Sequence, residues 1–158
     1  MTLLWPLKDL RPRFPYRPGE DGAFGFVRKH EIHTGVDLYC DEDQPVVTVD
    51  DGRFVRCVPF TGPDAGSPWW EPTWAMIVDH VWGVVVYGVI HAKDTSALMA
   101  ITPLLAPGRH IPRGTVLGHV KRVRKPKPCD PRPTTMLHIE MWRDLPSVLA
   151  CYKDERAT

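Results

Sequence analysis

Residues 53–60 (RFVRCVPF) alternate polar and apolar side chains, the period of a strand with one buried face. Residues 44–50 (QPVVTVD) form a β-branched run just before them, and Asp51-Gly52 between the two is a turn signal. Together they predict a hairpin. A second hairpin is predicted from residues 74–78 (WAMIV) and 84–90 (VVVYGVI), across a turn that ends at Gly83. Residues 111–120 hold Pro112-Arg113-Gly114 and then TVLGHV, and residues 134–142 (TTMLHIEMW) read as a further strand. Residues 97–105 fit a strand or a short helix. Residues 10–22 are rich in Pro, Arg and Gly and read as an extended surface arm. No repeat period is visible.

Composition sharpens this picture. The chain has 158 residues, room for one domain, and carries 17 prolines and 12 glycines. Helices tolerate that poorly while short strands and tight turns absorb it, so an all-α protein is excluded and the expected fold is mainly β, built on antiparallel pairs. The expected organisation is an arm over residues 1–23, one domain over 24–145 and a tail over 146–158. Hydrophobic residues make up 43% and charged residues 25%, the balance of a globular chain. A net charge of +1 argues against nucleic acid as a partner. No run approaches the ~18 apolar residues of a membrane span. The N-terminus has no basic region before its apolar residues, and Asp9 and Arg11 interrupt them, so it is not a secretory signal as written. The expected compartment is the cytoplasm, with action outside the cell, as after phage lysis, as the alternative. Cys40, Cys57, Cys129 and Cys151 lie far apart with no CxxC pair, and read as small buried hydrophobes. The basic, proline-rich residues 121–132 read as a solvated loop more than as a dock for an anionic partner. Trp69, Trp70 and Trp74 read as anchors that pin a loop onto the domain.

Two segments carry candidate chemistry. The first is His33-Thr34-Gly35-Val36-Asp37. In a straight strand His33 and Asp37 would lie about 13 Å apart, too far to share a metal. Thr34, Gly35 and Val36 make a poor helix, so a bend is needed, and Gly35 is expected to supply it through backbone angles other residues avoid. The second is Met136-Leu137-His138-Ile139-Glu140. Its alternation puts Met136, His138, Glu140 and Trp142 on one face. His138 can then join His33 and Asp37, giving two imidazoles and a carboxylate, the ligand set of a catalytic zinc with an open position for water. Glu140 is expected beside the ligand rather than on the metal. A lone strand histidine is more often structural, so each segment alone is weak.

Their order, with what lies between, resembles the lysostaphin/LytM-type zinc metallopeptidases, the glycyl-glycine endopeptidase family that cuts peptide crosslinks of bacterial cell walls. The resemblance starts near Phe24-Gly25 and takes in the HxGxD of His33, Gly35 and Asp37. It runs through Pro45-Val46-Val47, Asp51-Gly52, Tyr87-Gly88 and the glycines 114 and 118, and ends at the LHIE of residues 137–140. It implies that His33, Asp37 and His138 bind Zn2+, on a β-sheet domain of barrel-sandwich hybrid type with a groove over the metal. It implies a peptide or peptidoglycan-like substrate, attacked by a zinc-polarised water with help from nearby histidines.

The sequence departs from that pattern at two places. Met136 stands where the family has an acid/base histidine, and a thioether carries no proton at neutral pH. Val89 stands where a second family histidine follows the Tyr-Gly pair. His91, two residues on, is the candidate replacement, whereas spacing supports neither His30 nor His80. Three functions compete: a zinc peptidase with a depleted acid/base set, a non-catalytic zinc-containing binding module on a peptidase-like domain, and a carrier-type β domain. The last lacks a lysine at a hairpin tip and would leave His33, Asp37 and His138 unused.

Overall fold

The structure is a computed structural model that describes residues 2–8, 19–27, 32–68, 70–91, 107–123 and 134–152. It is mainly β, as expected. The strands are β1 (Val36–Tyr39), β2 (Pro45–Val47), β3 (Gly52–Thr61), β4 (Thr73–His80), β5 (Gly83–Ile90), β6 (His110–Ile111), β7 (Val116–His119) and β8 (Met136–Trp142). A 3-10 turn, Pro63–Ala65, follows β3, and one α-helix, α1 (Leu145–Cys151), follows β8. Six strands form an antiparallel sheet in the order β1-β8-β5-β4-β3-β6, and β2 pairs with β7 in a second sheet. Among the described residues the sheets do not close into a barrel.

Alternation explains why β5 is apolar at nearly every position. Val85 and Tyr87 face the larger core cluster with Leu38, Phe54, Met76, Val78 and Leu137. Val84 and Val86 face a smaller one with Val58, Ala75, Ile77 and Val148. A strand buried on both faces reads as a continuous hydrophobic run. The β4–β5 hairpin forms as predicted.

The first predicted hairpin does not form, although both its strands do. β2 pairs with β7 and β3 pairs with β4. Tertiary partners explain the difference. The backbone of Thr48 bonds to Thr115 and Gly114, and its hydroxyl donates to the Pro112 carbonyl, so this segment belongs to the second sheet. The Asp51 carboxylate accepts from the Arg113 amide. Gly52 answers a packing need: a Cβ there would lie 2.7 Å from Val78 Cγ1 and 2.9 Å from the Asp79 carbonyl oxygen.

Both chain ends place some residues against the sheets. Leu7 bridges to Val46 and is 1% exposed, so residues 2–8 line the small sheet. Most of the arm's Pro/Arg-rich stretch lies outside the described residues. At the other end, Asp144 caps α1 by accepting from the Ser147 amide at 2.9 Å, and Val148 seats the helix on the sheet. Cys40 and Cys57 are partly buried against the core, and burial pushes each thiol up to about 12. Cys151 is exposed, against expectation, and Cys129 lies outside the described residues. Trp70 packs on the core, whereas Trp69 lies outside the described residues, as do residues 97–105 and most of the basic 121–132 loop. No helix among the described residues is long and apolar enough to cross a membrane.

Candidate metal centre

Asp37 and His138 face each other across the sheet because β1 and β8 pair in the register Asp37↔His138. Directly opposed residues of an antiparallel pair point to the same side. His33 arrives from the segment before β1, where its amide donates to the Phe26 carbonyl and its carbonyl accepts from the Gly25 amide. The bend at Gly35 carries the chain from His33 into β1. Gly35 does not take the left-handed conformation expected of it. Its requirement is space: a Cβ would lie 2.5 Å from His138 Nε2 and 2.6 Å from the Ile139 carbonyl oxygen.

The result is a triangle of donor atoms. His33 Nε2 lies 3.1 Å from Asp37 Oδ1 and 3.0 Å from His138 Nδ1, and the last pair is 2.9 Å apart. All three residues are buried. Tetrahedral zinc with bonds of about 2.0–2.1 Å sets its ligand atoms about 3.3 Å apart, so the triangle needs adjustment by only a few tenths of an ångström.

The outer partners fix which ring nitrogens are free. His33 Nδ1 donates to the Ala23 carbonyl at 2.9 Å, so Nε2 turns its lone pair inward. His138 Nε2 lies 3.0 Å from Glu140 Oε1, which leaves Nδ1 for the triangle. Two lone pairs and a carboxylate oxygen thus converge, and they need a cation between them. Without a metal, a proton serves. Burial opposes a charged His138, but hydrogen bonds to Asp37 and Glu140 outweigh it and raise the ring to about 8. Burial likewise opposes charge on Asp37 and Glu140. The hydrogen bond from His138 brings Asp37 down to about 2, and those from His138 and Thr34 do the same for Glu140. A divalent ion in place of that proton would balance the two carboxylates. The set therefore fits a metal, and zinc among the candidates.

The other expected residues fall elsewhere. Glu140 is buried against His138, Thr34 and Trp142, outside the donor triangle. His91 is not brought into the triangle: its Nε2 lies 3.2 Å from an Asp43 carboxylate oxygen, beyond the end of β5. His80 stacks on Trp82 and bonds to the Asp51 carbonyl, and His30 lies outside the described residues. Met136 is half-buried opposite Tyr39, two residues along β8 from His138. Val89 packs in the larger core cluster with a φ of 70°. Sequence reasoning missed Thr34, which donates to Glu140 Oε1 at 2.5 Å, and Phe60, whose ring centre lies 4.9 Å from that of His138. Phe60 fits there because Gly88 opposite His138 has no Cβ; one would meet the Phe60 ring at 2.8 Å. Trp142 shares the face of His138 and Glu140, a signal the alternation already carried.

Comparison with models of known protein families gives no match, and no curated protein matches the sequence. Among solved structures, the chain is similar to Helicobacter pylori Csd3 in its hexagonal crystal, with a TM-score of 0.51 and 19% identity. That alignment covers 90% of this chain and 30% of Csd3, so the chain spans less than a third of that protein. The orthorhombic crystal of Csd3 gives a TM-score of 0.49 at 19% identity, over 90% of this chain and 32% of that one. At this identity the first likeness is one of fold.

Proposed function

We propose that this chain is a zinc-dependent peptidase-like domain that hydrolyses peptide bonds, with peptidoglycan-like crosslinks as its substrate class. The observation that carries the reading is the inward-facing triangle of His33 Nε2, Asp37 Oδ1 and His138 Nδ1. Support also comes from the shared fold with Csd3, a LytM-like peptidase-family protein. His33, Asp37 and His138 would hold the ion. Bound zinc supplies Lewis acidity toward a carbonyl and lowers the pKa of a coordinated water. Glu140 keeps the proton on the outer nitrogen of His138 and so keeps the inner one free. Among the described residues no further His, Cys, Asp or Glu joins the triangle, which suits a site that keeps a position for water or substrate.

A second reading is favoured by Met136 and Val89. Both family acid/base positions hold side chains without a transferable proton, and Val89 is 2% exposed in the core. Loss of a general acid/base costs on the order of 10²–10⁴ in rate. On this reading the domain binds a peptide at its metal centre without cutting it. Hydrolysis of a crosslinked stem-peptide or pentaglycine substrate separates the two. The peptidase reading expects slow, chelator-sensitive turnover that rises up to about 10²-fold in Met136→His. It expects loss in His91→Ala with metal content unchanged. No turnover in the unmodified chain and none in Met136→His would leave only the binding module.

A further inference from the structure

We propose that Thr34 and Trp142 form a clamp on Glu140 that fixes the tautomer of His138 and thereby presents its Nδ1 to the metal; this rests on the metal-centre reading above. The indole Nε1–H can only donate, and it donates to Glu140 Oε2 at 2.7 Å. The Thr34 hydroxyl donates to Oε1 at 2.5 Å. Glu140 is 2% exposed, so the carboxylate has little water to turn to. With donors on both oxygens, it can only accept from His138 Nε2, 3.0 Å away. That nitrogen must carry the ring's proton, and Nδ1 is left to face Asp37 and His33.

Polarity is therefore passed inward from two residues that touch no metal ligand atom. Thr34 lies inside the His-x-Gly-x-Asp bend and reaches β8 from there. Trp142 lies on β8 itself, four residues beyond His138 on the same face. The tyrosine at the end of α1 adds to the enclosure: Tyr152 interacts with Glu140, and burial holds its phenol neutral. Neither Thr34 nor Trp142 is a catalytic residue here; both are positioning residues. Outer partners of metal-bound histidines orient the ring and tune affinity, and their loss weakens binding by about 10–100-fold.

The test uses the full chain with Thr34→Val, Trp142→Phe, their combination, and Thr34→Ser as the conservative control. The first readout is the nitrogen-15 NMR signature of His138 in the metal-free chain, at alkaline pH where imidazole is neutral. The second is the zinc dissociation constant by competition with a chromophoric chelator. In the unmodified chain His138 should be protonated on Nε2. The double variant should show a mixed tautomer and zinc binding weaker by about 10–100-fold, while Thr34→Ser stays near the unmodified values. If the double variant fails to fold, Trp142→Phe alone decides, since it keeps an aromatic ring in place while removing the indole N–H and trimming the ring system. An unchanged tautomer and an unchanged zinc constant in a folded Trp142→Phe or double variant would overturn the clamp. Failure of the unmodified chain to bind zinc would overturn the metal reading instead, with the tautomer readout still deciding the clamp.

Discussion

Gly35 shows how a single residue joins sequence to site. Its neighbours are a histidine ring and a backbone carbonyl, and the carbonyl belongs to β8 and cannot swing away. Gly35→Ala should therefore push β1 and β8 apart or tilt His138. Overpacking of this kind costs about 1–3 kcal/mol. Zinc affinity should fall by at least about tenfold, because the donor triangle would widen on the His138 side. Denaturant melts and chelator competition on that variant check both numbers. The sequence pointed to His33, Asp37, His138 and Glu140 through a bend and a same-face strand pattern, each weak alone, together with the order of motifs between them, and the structure brings the first three within reach of one ion. The sequence announced Gly35 for the wrong physical reason, because a glycine's need for space is set by a strand about a hundred residues away. Phe60 carried no signal at all: its place over His138 depends on Gly88, and nothing local ties the two.

At the scale of elements, strand positions were legible and some partners were not. Alternation marked β3 and β8, and apolar runs on either side of the Gly83 turn marked β4 and β5. The Asp51-Gly52 signal could not show that Thr48 is claimed by residues 112–115. Nor did it show α1, whose start is written in Asp144 and Pro146 but whose stability comes from burial. Helices this short are held by packing rather than by propensity. Val148 is that packing: it is fully buried against Ala75, Ile77, Val84 and Val86. Val148→Ala should cost about 2 kcal/mol in urea denaturation. It should also loosen Tyr152, and with it one wall around Glu140, so zinc affinity should drop by a smaller factor than in Gly35→Ala. Unchanged stability would mean that the helix is not seated as described.

Across the whole molecule, the buried charges set a pH profile. Asp37 and Glu140 are both held near 2 in the folded chain, so their contribution to stability is present above the usual carboxylate range. It is lost as pH falls toward 2. His138 is raised to about 8, so its contribution is complete below about 6.5 and is lost as pH rises through 8. The metal-free chain should thus be most stable between about pH 4.5 and 6.5, declining on both sides. A bound metal takes the place of the His138 proton, so zinc affinity should rise with pH up to about 8, and the alkaline decline should disappear in the zinc form. Thermal melts from pH 3 to 9, with chelator and with zinc, check the profile.

The central claim is that His33, Asp37 and His138 make one divalent metal site. Elemental analysis of the purified chain after zinc loading and exhaustive dialysis tests it most directly, beside Asp37→Ala and His138→Ala treated identically. One zinc per chain in the unmodified protein, falling to a small fraction in each variant, is the predicted result, because two protein ligands rarely hold zinc against water and chelators. No zinc in the unmodified protein, or full retention in either variant, would contradict it.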